Sequence, residues 1–515
     1  MKNNIENNNP SFWLPLLVVV MGAFAAILNN SSVNVALPKM MTIFGVPADQ
    51  IQWVLTAYML ASGVVIPVTG YLGDTFGTKR AYLASLIVFT AGSILCGLAW
   101  NNNSMVAARV IQGIGGGAIM PLSMAIVYRI VPRNRIGTAL GFWGMAAVTA
   151  PAIGPTLGGY IVESLDWRFL FTLNLPVGVL GIILGSMILT ESEIKKGQKF
   201  DLWGFLTSSL GCLTLLLALS QGQKNGWDSY YIVTMLTLSF FLLLLFVVIE
   251  LSIPEPMLDL KILKNLTFSV SVFGGSLLTV GLFGGVFLIP LFTQNLMGKS
   301  AMDTGLMLLP AALVTAIMMP ISGALFDRMG AGVITMVGLF ILAIGTWEFR
   351  HLSLESTVTY ITVMAAIRSL GMGLAMMPLT TAGMNTISQQ NIGRASALSN
   401  VCRQVAGSLG IAILTTIMQT RQSLHFAHLQ ESVSINSTMA PSLLKQLGGM
   451  LGATGVGGAA QQTALSVTSG LAAKQSLVMA IDDTFIVAAL FVALAIPASL
   501  FLGNSKKKIP NAPSA

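Results

Sequence analysis

Gly70-Tyr-Leu-Gly-Asp74-Thr-Phe-Gly77-Thr-Lys79-Arg80 is echoed 253 residues later by Gly323-Ala-Leu-Phe-Asp327-Arg328-Met-Gly330. Both stretches read G-x-L-x-D-x-x-G, and both lie where a long apolar run gives way to charge. A second pair keeps nearly the same offset. Arg109-Val-Ile-Gln112-Gly113-Ile-Gly115 is matched 259 residues on by Arg368-Ser-Leu-Gly371-Met-Gly373. Two motifs repeated in the same order at nearly one spacing describe a chain of two related halves.

Composition says what the halves are made of. Of 515 residues, 54% are apolar and 9% charged, with a mean hydropathy of +0.79. Soluble domains carry about 25% charged residues, so several soluble domains are excluded. Apolar runs long enough to cross a ~30 Å hydrocarbon core recur throughout. They predict fourteen membrane helices, at 12–35, 50–72, 81–100, 105–130, 137–162, 169–189, 202–220, 230–251, 266–296, 304–326, 332–347, 357–384, 395–420 and 478–502. The first run lacks a signal-peptide cleavage site and reads as a retained helix. The expected class is an all-α integral membrane protein. Residues 1–190 form one six-helix bundle and 266–515 a second. Residues 191–265 supply connections and two inserted helices that read as a lipid-facing pair. Repeats of this kind characterise secondary transporters, whose substrate site lies between them near mid-membrane.

Charge sets the orientation. With the N-terminus in the cytoplasm, sixteen Lys and Arg fall in inside connections and eight outside, and three lie within helices. The positive-inside rule then places both termini in the cytoplasm. The segment 422–475 is the one long outer connection. It predicts one or two amphipathic surface helices and is where a periplasmic adaptor protein would dock. Cys96, Cys212 and Cys402 each sit in an apolar run, and His351, His425 and His428 make no ligand pattern. No metal, no cofactor and no nucleic-acid partner is expected. No G-x-x-x-x-G-K-[ST] loop occurs, which excludes a nucleotide-driven pump, and no nucleophile–base pair at mid-depth suggests an enzyme.

The Gly70–Arg80 stretch resembles the cytoplasmic signature of the major facilitator superfamily. Arg109–Gly117 resembles its helix-4 R-x-x-Q-G-x-G signature. Ala150-Pro-Ala-Ile-Gly154-Pro155-Thr-Leu-Gly158-Gly159 resembles the helix-5 G-x-x-x-G-P-x-x-G-G signature of its antiporters, with Ala150 for the first glycine. Leu28-Asn29-Asn30-Ser-Ser-Val-Asn34-Val-Ala-Leu-Pro38 is similar to the L-D-x-T-I-V-N-V-A-L-P stretch of the fourteen-helix drug:proton antiporters of the EmrB/QacA type. Trp53–Tyr58, Asp166–Phe169, Phe171–Gly178 and Asn400–Gly407 resemble that group too. The resemblance covers essentially the whole chain. It implies the major facilitator fold and proton-driven export of small amphipathic compounds from a cell (inner) membrane, by rocking of the two bundles.

The candidate residues divide by chemistry. Charges within a membrane helix normally face a cavity or a partner, which singles out Arg109, Arg368 and Arg403, with Arg109 foremost. Asn29, Asn34, Tyr58, Gln112, Asn400 and Gln404 offer uncharged contacts to substrate or to neighbouring helices. Asp74 with Lys79 and Arg80, and Asp327 with Arg328, between Gly70, Gly77, Gly323 and Gly330, read as a cytoplasmic latch or as plain helix caps. Gly154, Pro155, Gly158 and Gly159 read as a seal where helix 5 meets a helix of the other half; a leucine at either of the last two is expected to overpack it. The family places an acid where this chain has Asn29, and no Asp or Glu lies in the middle of any run. Asp74, Glu163 and Asp166 are left as proton carriers. The alternative is export of one metabolite, lipid or peptide with weak or no proton coupling.

Overall fold

The computed structural model describes residues 12–194, 197, 200–432 and 460–502. Among them there is no strand. The membrane helices are α1 (Trp13–Phe44), α2 (Trp53–Phe76), α3 (Thr78–Gly97), α4 (Asn102–Ile130), α5 (Ile136–Ser164), α6 (Phe169–Ile188), α7 (Leu202–Asn225) and α8 (Tyr230–Ser252). They continue with α9 (Leu266–Asn295), α10 (Ala301–Met329), α11 (Gly332–Glu348), α12 (Val358–Met384), α13 (Ile392–Ser432) and α14 (Ala460–Leu500). Thirteen are single apolar spans, and α5 crosses as a pair of segments bent by 41°. The architecture is two six-helix bundles, α1–α6 and α9–α14, with α7 and α8 inserted.

Two expectations change. The outer connection is shorter than 422–475, and the surface helices expected in it fall outside the described residues. The membrane helices α13 and α14 run on into that segment from both sides, and its centre, 433–459, lies outside the described residues. The α13 extension is braced against α14, with Asp483 Oδ2 standing 3.6 Å from Arg421 Nε and 2.9 Å from His425 Nε2. The inserted helices are also not alike. In its most apolar stretch α8 is only 17% buried, whereas α7 is 56% buried. A Cβ on Gly63 of α2 would stand 2.6 Å from Leu216 of α7, and Trp227 Nε1 just beyond α7 donates to Thr416 Oγ1 of α13 at 2.8 Å. Thus α7 touches both bundles, and α8 lies against α7 through the Ser239 hydroxyl, which donates to the Gly211 carbonyl.

The two bundles meet along α5 and α10. Where a Cβ would intrude, glycine stands: one added at Gly141 would lie 2.6 Å from the Met319 carbonyl oxygen, and one at Gly323 would strike the backbone of Gly137. Without side chains in the seam, the helix backbones approach closely. The helix-5 signature faces elsewhere. Pro155 has no N–H, so the Pro151 carbonyl loses its helical donor. Ser31 of α1 supplies one instead at 2.9 Å. A Cβ on Gly154 would meet Ser31 Oγ at 2.5 Å, and one on Gly158 the Ser32 carbonyl oxygen at 2.8 Å. This contact is with α1 of the same bundle, not with the other half as the sequence suggested. Gly159 leaves room, since the nearest atom to an added Cβ is Val35 Cγ1 at 4.0 Å.

Gly158→Ala therefore destabilises the purified protein by on the order of 1–3 kcal/mol through overpacking. Gly159→Ala stabilises it by ~0.5–1 kcal/mol, because alanine is the better helix former. Apparent melting temperatures in detergent should move in opposite directions; equal shifts would show that α1 and α5 make no close contact at Gly158.

Candidate functional site

Glycine and aspartate four residues apart share one helix face, and the repeated motif uses that face twice. Gly70 and Asp74 lie in the last turns of α2, and Gly323 and Asp327 in those of α10, not in loops. A Cβ on Gly70 would stand 3.1 Å from Arg394 Cα at the start of α13, so the helices touch there. Asp74, 7% exposed, then reaches Arg394, with 3.2 Å from Oδ2 to Nε. The contact joins charges without the alignment of a hydrogen bond. Gly323 lies as closely against Gly137 at the start of α5. Asp327 there accepts the Gly137 and Thr138 backbone N–H groups, both at 3.0 Å, and the Thr138 hydroxyl at 2.8 Å. An acid at the end of its own helix sits at the negative pole of that dipole. The positive N-terminus of α5 offsets this, an effect typically worth ~0.3–1 kcal/mol and up to ~2 kcal/mol when partly buried.

Both aspartates thus dock on the first turn of a helix in the opposite bundle. That turn is itself repeated: Ile136-Gly-Thr-Ala in α5 and Ile392-Gly-Arg-Ala in α13, 256 residues apart. The sequence reading missed this third echo and with it Arg394, which it counted as an ordinary loop charge. The spacing, between the other two offsets, is the signal that reveals it. Lys79 and Arg80 are not the partners of Asp74. Lys79 Nζ donates to the Ser186 carbonyl, its backbone N–H to Glu191 Oε1, and Arg80 pairs with Glu191 at 3.5 Å. These bonds close the bundle on itself. Gly77, at φ +92°, permits that turn, as Gly330 does at +89°. Arg328 is exposed beside Asp327. A further cross-bundle bond runs from Ser396 Oγ to the Pro121 carbonyl at 3.0 Å. The face bearing these contacts, here the latch face, is shut. A cavity of about 290 Å³ opens beside the latches, lined by Tyr128, Phe326, Asp327, Met384 and Ile392 among others.

Deep inside the first bundle Arg109 is fully buried. Its Nε donates to the Val54 carbonyl at 2.9 Å. One terminal nitrogen donates to Asn29 Oδ1 at 3.0 Å and to Gln112 Oε1 at 2.7 Å, and the other reaches Asn30 Oδ1 at 3.4 Å. The Tyr58 ring lies under it, 4.3 Å from centroid to Cζ. The glycines of α4 make room for this. A Cβ on Gly113 would strike the Tyr58 carbonyl, one on Gly116 the Tyr58 hydroxyl, and one on Gly115 the backbone of Phe89 in α3. Gln112 is held in turn, its amide donating to Ser93 Oγ at 2.7 Å. Val54, Asn29, Asn30 and Gln112, which the buried guanidinium meets, are all neutral. Asn29 also donates to the Leu170 carbonyl. Asn34, on the same helix as Asn29, is exposed and bonds only weakly back to the Asn30 carbonyl.

The structure brings together Asn29, Tyr58, Arg109 and Gln112, and separates the rest. Arg368 points into its own bundle, donating to Thr346 Oγ1 of α11 and to the Gly281 and Leu282 carbonyls of α9. It clamps three helices and does not line a central path. Arg403 donates to Ser399 of its own helix and lies beside Tyr128 of α4. Asn400 bonds back to the Ser396 carbonyl, and Gln404 is half-buried on the same helix. Glu163, in the last turn of α5, and Asp166, between α5 and α6, are exposed, and Asp166 pairs with Arg168 at 3.6 Å. Neither lies near Arg109. No cluster of His, Cys, Asp and Glu among the described residues has the composition of a metal site.

Residues 19–411 match the family model described as Major Facilitator Superfamily. The chain is 36% identical to the uncharacterized MFS-type transporter YhcA of Bacillus subtilis, over 98% of this chain and 96% of that one. It is 30% identical to the multidrug transporter protein MdtP of the same organism, over 98% and 95% of the two chains. It is 31% identical to the multidrug export protein EmrB of Haemophilus influenzae, over 84% and 85%. Among solved structures, the proton:xylose symporter XylE aligns with a TM-score of 0.58 at 14% identity, covering 94% of this chain and 96% of that one. The human organic anion transporter MFSD10 aligns with a TM-score of 0.57 at 15% identity, covering 94% and 100%.

The neutral shell around Arg109 has a measurable consequence. Asn29→Asp turns the 3.0 Å bond into a charge-assisted one and raises stability by on the order of 1 kcal/mol. Arg109→Lys cannot reproduce a fork that reaches both Val54 and Gln112, and lowers stability. Melting temperatures in detergent check both; a destabilised Asn29→Asp would mean that Arg109 is not short of negative charge.

Proposed function

The chain belongs to the major facilitator superfamily, and on that premise we propose that it is a secondary active exporter of small amphipathic compounds, working by alternating access and driven by proton antiport across the cell membrane. The latch face lies in the cytoplasm, as do both termini. Residues 1–190 and 266–515 move as the two bundles around 191–265. The observation that carries this reading is the pair of cross-bundle aspartate contacts on one face. Asp74–Arg394 and Asp327–α5 hold that face shut through interactions that separation of the bundles would break. An exposed pair contributes only ~0–1 kcal/mol. These are largely buried, and a shift of a few kcal/mol is enough to exchange one face for the other. The relatives named for multidrug export support the cargo class. An adaptor protein, where one is used, engages the far ends of α13 and α14.

Asn29 keeps a second reading in view. With Arg109 held by the neutral groups of Val54, Asn29, Asn30 and Gln112, export of a single metabolite, lipid or peptide with weak or no proton coupling fits the site too. Dye efflux from everted vesicles with and without a protonophore separates the two. Uncoupler-sensitive efflux is expected; efflux that ignores the protonophore selects the second reading.

The buried cation also sets cargo charge. Two unit charges 4 Å apart interact by roughly 4 kcal/mol at an effective dielectric constant of 20. Even a fraction of that, acting from behind Asn30, disfavours dications. Neutral, zwitterionic and anionic dyes are expected to be exported better than size-matched dications, and Asn29→Asp to narrow the difference. A wild-type preference for dications would overturn this.

A further inference from the structure

The inserted helices end in two acids that the mechanism above does not use. Asp201 caps the start of α7, its Oδ1 accepting the Gly204 N–H at 2.8 Å. Glu250 stands in the last turn of α8, its Oε1 accepting the Leu258 N–H at 3.1 Å. Glu250 is 1% exposed and Asp201 8%. The second oxygen of each, Glu250 Oε2 and Asp201 Oδ2, is buried with no hydrogen-bond partner among the described residues. The charged groups within electrostatic range of Glu250 are Asp201, Asp259 before the turn at Leu260–Lys264, and Arg394 of α13. Asp259 is engaged with the Lys261 N–H. Arg394 is the latch residue itself, against Asp74 of α2.

Two neighbouring carboxylates, each with an orphan buried oxygen, are costly when both are ionised. One proton on the pair removes a buried charge and converts an acceptor into a donor. We propose that Glu250, with Asp201 as its neighbouring charge, is a proton site on the latch face, and that its occupancy sets the hold of Arg394 on Asp74. With the proton present, Asp74 is the dominant anion facing Arg394 and the latch holds. When the proton leaves, a second anion on the inserted helices competes for the guanidinium, and the latch loosens. The balance is one proton released to solvent and one negative charge gained by the pair. The idea deepens the exporter reading by naming where a coupling proton is held.

The test reads the latch without any cargo. Spin labels are placed at Phe76→Cys and Ser388→Cys, exposed positions in opposite bundles at the latch face, after replacement of Cys96, Cys212 and Cys402. Electron–electron distances in the purified full-length chain are followed from mildly acidic to mildly alkaline buffer. The longer, open distance should gain population severalfold as pH rises. Glu250→Gln, which mimics the protonated acid, should stay closed throughout, and Asp259→Asn should still respond. A wild type that does not respond, or a Glu250→Gln that titrates like it, would overturn the proposal. Where Glu250→Gln does not accumulate, Glu250→Asp and Asp201→Asn must each displace the midpoint, and an unmoved midpoint has the same force. Proton-independent export from vesicles would defeat the antiport reading and leave this titration standing.

Discussion

A helix can meet another end-on only if its face is clear, and the arrangement of the two bundles depends on that constraint. In G-x-L-x-D the glycine clears the face and the aspartate, one turn on, accepts what the approach exposes. At Asp327 the exposed groups are two unpaired N–H groups of an α-helix start. At Asp74 the corresponding position of the partner helix carries Arg394. The same backbone geometry is thus closed once by a helix dipole and once by a side-chain cation. Dipole and hydrogen bonds are fixed features of the fold. A guanidinium on a flexible stem responds to other charges within reach, so the two latches, though related by the repeat, need not open for the same reason.

Much of the fold was legible in the sequence, because a membrane helix announces itself by length and hydropathy. The pattern fails where helices leave the bilayer. Nothing in the hydropathy of 422–432 marks it as a continuation of α13, since its support comes from α14, where Asp483 faces Arg421 and His425. At the site, residue type identified Arg109, Tyr58, Gln112 and Asn29 together. It put Arg109 foremost but kept Arg368, which shares its glycine-rich setting, as a candidate of the same kind. What distinguishes them is the far end of the guanidinium, set among the Asn29, Asn30 and Gln112 side chains in one case and at α9 carbonyls and Thr346 in the other. The contact of Gly154 and Gly158 was foreseen but assigned to the wrong neighbour, because a small-residue stripe says that something packs closely without saying what.

The neutral shell of Arg109 bears on how the bundle stays assembled. Removing a cation from water is expensive unless hydrogen bonds replace the solvent. Val54, Asn29, Gln112 and Asn30 replace it from three different helices, α2, α4 and α1, with Tyr58 beneath. The charge therefore ties these helices into one rigid unit. A carboxylate in place of Asn29 would concentrate the attraction on α1. The amides share it, so that no single protonation event can release the arginine. Coupling to protons, where it exists, is better sought at acids that touch a moving contact than at this core.

The inserted pair carries buried acids of that kind. Because α8 is mostly exposed and α7 touches both α2 and α13, the pair is anchored to the interface and not to one bundle. A lipid-facing role alone would not require buried acids at its ends. The bundles meet along a seam formed by α5 and α10, and α7 lies on a flank where α2 and α13 of different bundles approach each other. Glu250, in the last turn of α8, is then positioned to feel the contact between Gly70 and Arg394 without belonging to it. Insertion of two helices into a twelve-helix repeat thus adds charge next to one latch and leaves the other, at Asp327, held by the α5 N-terminus and the Thr138 hydroxyl.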